Sequence, residues 1–293
     1  MSVVRSIVRS PIRSAIRSVL GAREGSLYGN DMVLVMATTT PAETITIPCH
    51  NVGIFDASID WGDGSTSDIT AYNDADLAHV YAAIADHTIR ISGTFPNIYF
   101  NSVGDKLKLK KVLQLGSTGL TRLDNAFRGC SNMTEFLGGV VDTSAVTTMV
   151  QTFRDCTGLT TPDVSGFDTS AVDTMFRMWL DCTGVTTLNV SGFDVSSVTN
   201  MTQMFVRCTS LTDAAIDGWN IEAVANFTNF MLGVTLPTAR YDATLIAWDA
   251  QNPVDGLSIN FGGSKYTLGS PAATARANLV SNDGWSISDS GTV

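Results

Sequence analysis

Apolar residues recur with a period of 26 along the middle of the chain, and this repeat is its strongest pattern. In one repeat, Val198, Met201, Phe205 and Cys208 are spaced at i, i+3, i+7 and i+10, as on one helix face. A short strand at 185–190 precedes them, so the pattern predicts strand, turn, helix and turn. Neighbouring repeats would share one core. The apolar columns are Leu120, Val146, Val172, Val198 and Val224; Leu123, Met149, Met175, Met201 and Phe227; Phe127, Phe153, Trp179, Phe205 and Met231; and Cys130, Cys156, Cys182 and Cys208.

A polar column accompanies these apolar columns. It consists of Asp142, Asp168, Asp194 and Asn220, and each member comes just before the predicted helix. An Asp side chain at that position can accept hydrogen bonds from the free N–H groups of a helix N-terminus. We therefore predict that the column caps helices. The Cys column ends in Val234, so the last repeat is degenerate, as is typical of a terminal repeat.

The segment before the repeats predicts a small all-β domain. Short runs rich in β-branched residues alternate with turn signals, and in 87–95 the apolar side chains Ile89, Ile91 and Phe95 alternate with polar ones. Asp63-Gly64 is a turn signal, because glycine adopts positive φ without a steric penalty. The predicted strands are 32–36, 44–47, 57–61, 78–81, 87–95 and 98–100.

The segment after the repeats predicts a mixed α/β cap. Residues 243–249 and 272–279 have helical composition, whereas 257–261 and 284–289 alternate like strands. A cap of this kind would cover the exposed end of the repeat core.

The first 23 residues form a basic arm with a four-residue period. Apolar residues and arginines alternate along it, and rows at i and i+4 lie on one helix face. Pro11 would split or begin the helix. We predict an arm that buries its apolar strip in a partner. A membrane-surface helix and a frayed tail are the alternatives. The interspersed arginines disfavour a signal peptide. The expected anchoring residues are Arg5, Arg9, Arg13, Arg17, Val4, Val8, Ile12 and Ile16.

Charge divides the chain into two parts. The net charge of −10 combines a +5 arm with a −15 remainder, and the charged share is 16% against an ordinary ~25%. The acidic remainder argues against nucleic-acid binding by the whole surface. The sequence has no apolar run of ~18 residues, so no membrane span is predicted.

Neither catalysis nor a bound cofactor is predicted. There is no nucleophile elbow or phosphate-binding loop, and the acids at Asp60, Asp63 and Asp68 lack calcium-loop spacing. Equivalent cysteines of stacked repeats would lie one strand spacing apart, ~4.8 Å, with parallel Cβ vectors. A disulfide needs converging vectors, so we expect free thiols and no metal site.

Two families resemble parts of the chain. The segments Asp60-Trp61-Gly62-Asp63-Gly64, His79-Val80-Tyr81 and 87–93 are similar to PKD-like domains, which implies an immunoglobulin-like sandwich. The motif Gly192-Phe193-Asp194 through Met201, Met204-Phe205 and Cys208 resembles BspA-like leucine-rich repeats, also found in mycoplasma surface lipoproteins. These resemblances imply a multidomain protein: arm and linker 1–30, β-sandwich 31–100, α/β leucine-rich-repeat solenoid 101–238 and C-terminal cap 239–293.

The combination of modules resembles bacteriophage tail and virion proteins. It implies a non-enzymatic tail-fibre-like or tail-tip adhesin that is made in the host cytoplasm and lies on the particle surface. Such a protein would contact other virion proteins through residues 1–25 and a host glycan or protein through the repeats. A homotrimer is compatible with such a role. The alternatives are a bacterial cell-surface adhesin, a capsid decoration protein and, less favoured, a polysaccharide depolymerase.

Overall fold

The computed structural model describes residues 28–293, and its first part is built of β-strands. Strands form at or close to five of the six segments predicted there, but 98–100 is not a strand and β4 is an additional one. The strands are β1 (Met32–Ala37), β2 (Glu43–Thr46), β3 (Asp56–Asp60), β4 (Thr66–Ile69), β5 (Ala78–Tyr81), β6 (Asp86–Thr94), β7 (Leu109–Gln114) and β8 (Glu135–Phe136). Short 3-10 turns occur at Ala75–Leu77 and Gly104–Leu107.

One sheet connects this β-region to the repeats. Its strand order is β4-β3-β6-β1-β7-β8, while β2 and β5 form a separate pair. Every residue of β1 is buried, which explains its uninterrupted apolar sequence. β1 pairs antiparallel with β6 and β7, and β7 pairs parallel with β8. Pairing therefore changes from antiparallel to parallel where the repeats begin, and the sheet crosses the expected boundary at residue 100.

Backbone hydrogen bonds connect each repeat to the next, and the amide of every second residue donates them. The amides of Met175 and Trp179 donate to the carbonyls of Asn200 and Met204 in the next repeat, at 3.0 and 2.9 Å. The intervening amide of Met178 instead donates to Met175 in its own repeat. Each repeat thus alternates between pairing with its neighbour and closing a tight turn. The short strands β9 (Thr187–Leu188) and β10 (Asp213–Ala214) pair parallel on another side of the stack.

The predicted α/β leucine-rich-repeat solenoid is wrong, because the repeats contain no helix. The described chain is mostly strand, bridge and turn, and its two α-helices both lie after residue 237. The apolar columns are buried as expected; for example, Val198, Met201 and Phe205 are fully buried. Their helical spacing comes from successive tight turns, each of which returns a side chain to the core after three or four residues.

Two residues with positive φ in each repeat explain why no helix forms. Left-handed backbone interrupts the dihedral angles that a right-handed helix needs. One column has φ between 54° and 57° and the other between 58° and 83°. Both columns recur with the 26-residue period: Asn125, Gln151, Arg177, Gln203 and Asn229; and Gly129, Asp155, Asp181, Arg207 and Gly233.

Two helices and a pair of strands cover the last repeat. The helices are α1 (Thr238–Asp249) and α2 (Pro271–Ser281), and β11 (Ser258–Asn260) pairs parallel with β12 (Ser286–Ser288). Ser270 caps α2 by accepting a hydrogen bond from the Ala273 amide. β11 and β12 lie inside two of the segments predicted for the cap, and α1 and α2 each extend beyond a predicted helical segment. The rings of Trp248 and Phe227 stack at 5.3 Å, so α1 seals the end of the repeat core.

A single apolar core extends through the described chain. It runs without interruption from the β-region through the repeat columns to the side chains of the cap. Within residues 28–293, no helix is long and apolar enough to cross a membrane.

Candidate functional site

The residues expected to anchor the protein lie outside the described part of the chain. The described residues begin at Tyr28, after the basic arm. These residues are Arg5, Arg9, Arg13, Arg17, Val4, Val8, Ile12 and Ile16.

Ser65, His79 and Asp63 form a cluster that has the composition of a hydrolase triad but not its geometry. The Asp63 carboxylate lies 2.7 Å from His79 Nε2, and Ser65 Oγ lies 3.3 Å from the same nitrogen. A triad needs the acid and the nucleophile on opposite ring nitrogens. Ser65 Oγ also donates to Asp63 at 2.5 Å, so the hydroxyl serves the turn after β3. The cluster stabilises a turn, and these hydrogen bonds lower the pKa of Asp63 to about 2.

The four repeat cysteines form a buried column of free thiols. Each of the last three thiols donates to the carbonyl oxygen of the preceding repeat's aromatic residue, at 2.9–3.0 Å, as Cys182 does to Phe153. Burial raises the pKa of these thiols, so they stay protonated and unreactive. The described residues contain no group of His, Cys, Asp or Glu side chains suited to hold a metal ion.

The aspartate column that was expected to cap helices instead stabilises turns. In the absence of a helix, Asp168 accepts hydrogen bonds from the amide and the hydroxyl of Ser170, at 3.0 and 2.6 Å. Asp142 and Asp194 make the same pair of bonds to the serine two residues later. These bonds lower the pKa of all three carboxyl groups. The result is a row of identical Asx turns along one edge of the stack.

A second edge of the stack carries a row of arginines. We use the name arginine row for Arg128, Arg154 and Arg177, which lie in the left-handed turns of three successive repeats. The amide of Gly129 donates to the carbonyl of Arg154 at 2.8 Å, so adjacent rungs are one strand spacing apart, ~4.8 Å. All three side chains are partly exposed. Desolvation lowers the pKa of Arg128, and repulsion from the other two arginines adds to this effect, whereas the charge of Asp155 opposes it.

Two members of the arginine row lack a carboxylate partner. Among the eight arginines of residues 28–293, only Arg128 and Arg177 have no carboxylate within 4.0 Å. Arg128 donates to the amide oxygen of Asn101 at 3.1 Å, and Arg177 to that of Gln203 at 2.6 Å. The Arg177 guanidinium also lies 4.6 Å from the centre of the Phe176 ring. Neutral partners hold these guanidinium groups in place, and neither group is paired with a carboxylate; the charge of Asp155 acts on Arg128 only from beyond 4.0 Å.

The arginine row was not predicted from the sequence. The predicted columns are apolar, whereas the arginines occupy two different columns of the repeat. Only Arg128 and Arg154 are spaced by 26. Arg177 belongs to the column of positive-φ residues that begins with Asn125. The detectable signal was that most basic residues of the stack fall in one short turn segment of each repeat.

Comparisons with known proteins place the similarity within the repeats and the start of the cap. Residues 121–250 match the model of a family described as a Mycoplasma protein of unknown function, DUF285. The match covers less than half of the chain. No curated protein and no solved structure matches it.

Proposed function

We propose that this protein is a non-enzymatic structural adhesin of a bacteriophage virion, of the tail-fibre-like or tail-tip kind. The arm attaches it to other virion proteins through residues 1–25. The stacked repeats present a stiff polar surface to a glycan or protein on the host. The observation that supports this division is the charge asymmetry between a +5 arm and a −15 remainder.

The repeat stack is suited to receptor binding because its polar groups are fixed. Asx turns hold the Asp142, Asp168 and Asp194 carboxylates at one edge, and the arginine row lies at another. Backbone hydrogen bonds of about 2.9 Å tie every repeat to the next. A surface that is already ordered loses little conformational entropy when it binds, so more of the contact energy appears as affinity.

The experiment that tests the proposal is to locate the protein on particles. Antibodies against the full chain should label the tail of intact virions in electron micrographs. Charge reversal of two arm residues, Arg9→Glu with Arg13→Glu, should prevent incorporation, because the arm would lose its attraction to the particle. Charge reversal of exposed Lys265 with Lys110 provides the control with the same change of charge. Unlabelled virions would overturn the proposal.

A second candidate, a bacterial cell-surface adhesin, is favoured by one observation. The family that matches residues 121–250 is described as a Mycoplasma protein, which is a cellular protein. Protease treatment of intact cells separates the two roles. A cell-surface adhesin is degraded on intact cells, whereas a virion protein is protected there and is found in the particle fraction.

A further inference from the structure

The arginine row combines two guanidinium groups without a paired carboxylate, those of Arg128 and Arg177, with neutral hydrogen-bonding groups. Four amide side chains share the left-handed column with Arg177, and Gln151 and Gln203 flank it on adjacent rungs. Arg154 donates to the amide oxygen of Gln151 at 2.7 Å. Guanidinium groups bind carboxylates through paired hydrogen bonds, and amides bind hydroxyl groups. Both kinds of group therefore occur together at the spacing of the stack.

Negative charges in the neighbouring column limit what the row can bind. Asp155 and Asp181 lie four residues after Gln151 and Arg177, and Asp155 is 3.3 Å from Arg154. Asp181 is paired with Arg207. A polymer with a charge on every unit, such as a nucleic acid, needs a continuous positive track. These carboxylates interrupt such a track, so the row suits a polymer with fewer charges and many hydroxyl groups.

From this arrangement we propose that the arginine row binds an acidic polysaccharide, with sugar carboxylates on Arg128 and Arg177 and sugar hydroxyls on the adjacent amides. The inference deepens the proposed function, on which it rests, by naming the binding face and the ligand class. Phe176 supports it because the stacked ring fixes the orientation of the Arg177 guanidinium. A fixed guanidinium loses less side-chain entropy on binding.

Sequence variation among the repeats supplies variants that the fold tolerates. Arg177→Gln places at this position the residue that Gln151 and Gln203 already provide at positive φ. Arg128→Leu places there the residue that the third repeat has as Leu180. The control is Lys110→Gln with Lys265→Gln, which removes the same charge from two lysines without a carboxylate within 4.0 Å in the described chain.

The test measures binding of a hyaluronan oligosaccharide, which has a carboxylate on every second sugar only, to the full chain by titration calorimetry, with dextran as the neutral probe and polyphosphate as the fully charged probe. We expect binding to the hyaluronan oligosaccharide, none to dextran, and weaker binding in high salt, because ions screen the exposed charges. The double variant Arg128→Leu with Arg177→Gln should lose at least tenfold in affinity. The lysine control should keep the original affinity.

Three results would overturn the inference: no binding of the hyaluronan oligosaccharide, equal loss in the lysine control, or tighter binding of polyphosphate. The last would identify the row as a general polyanion site. Virion labelling is independent of these measurements. Labelled particles with no binding of the acidic sugar would refute the assigned face and ligand, whereas binding without labelled particles would refute the virion role.

Discussion

At the scale of single residues, side-chain hydrogen bonds make the contribution of Asp63 to stability depend on pH. Asp63 accepts bonds from the hydroxyl and amide of Ser65 and lies against His79. Its pKa is lowered from 3.8 to about 2 in the folded protein. A carboxyl group with a depressed folded pKa stabilises the fold above its unfolded pKa. That contribution is lost as the pH falls from about 4 towards 2.

The first prediction concerns Ser65→Ala. Removing the hydroxyl should raise the pKa of Asp63, because its largest stabilising bond is lost. The variant should be less stable than the parent near neutral pH, and the difference should shrink towards pH 2. An NMR titration of the Asp63 carboxyl and urea unfolding at several pH values measure both effects. Ser92→Ala is the control, since Ser92 bonds to Ser58 and not to Asp63. An unchanged Asp63 titration would contradict the assignment.

The second prediction concerns the buried thiols. Cys182 is fully buried and donates to the Phe153 carbonyl at 2.9 Å, so Cys182→Ala leaves a small cavity and removes one of the two hydrogen bonds that this carbonyl accepts. We expect a loss of about 1–2 kcal/mol in the free energy of unfolding. The measurement is urea denaturation. Cys49→Ala, at a partly exposed position, should cost less; equal losses would show that the column contributes nothing specific.

At the scale of elements, the sequence could reveal which residues are buried but not the backbone that buries them. The columns of Val, Met, aromatic and Cys residues are all in the core, as their period indicates. Their i, i+3, i+7 spacing suits a helix equally well as a series of tight turns. The difference lies in residues such as Gln151 and Asp155, whose positive φ has no marker comparable to a glycine. Only Gly129 and Gly233, at the ends of one column, carry that signal.

The third prediction tests the left-handed column that runs from Gly129 to Gly233. Asp155 has a φ of 63°, which a β-branched residue adopts at a substantial steric cost, whereas glycine adopts it freely. Asp155→Val should therefore be less stable than Asp155→Gly by about 1–2 kcal/mol. The two variants share the loss of the contact with Arg154, and the greater freedom of glycine in the unfolded chain works against the expected difference, so a lower urea midpoint for Asp155→Val reports the backbone strain. Equal stabilities would contradict left-handed backbone at this position.

The candidate sites show the same limit of sequence reasoning. A motif search finds polar residues that recur in one column, and it identified the Asp142, Asp168 and Asp194 series but assigned it to helix capping. The arginine row depends on how two columns meet at a turn, and this is a property of the stacked backbone. Arg128 and Arg177 are 49 positions apart in sequence, yet two steps of the stack bring them to one edge.

At the scale of the whole molecule, continuity of the core predicts cooperative unfolding. No break separates the β-region, the repeats and the cap within the described chain. Trp248 is fully buried, stacks on Phe227 at 5.3 Å and donates to the Ile216 carbonyl at 3.2 Å. It therefore holds the cap against the final repeats. A stack of repeats transmits the loss of such a contact through each interface in turn.

The fourth prediction is that Trp248→Ala destabilises the distant end of the stack as well as the cap. Truncating a buried Trp costs about 3–5 kcal/mol. If the chain unfolds as one unit, Cys130 in the first repeat and Cys208, the last cysteine of the column, should gain thiol reactivity together, because each needs global opening to react. Labelling with a maleimide under native conditions, followed by peptide mass spectrometry, gives both rates. Val280→Ala, at an exposed position of α2, should leave them unchanged. A rise at Cys208 alone would show that the stack frays from its capped end, and the uninterrupted core would then not act as a single cooperative unit.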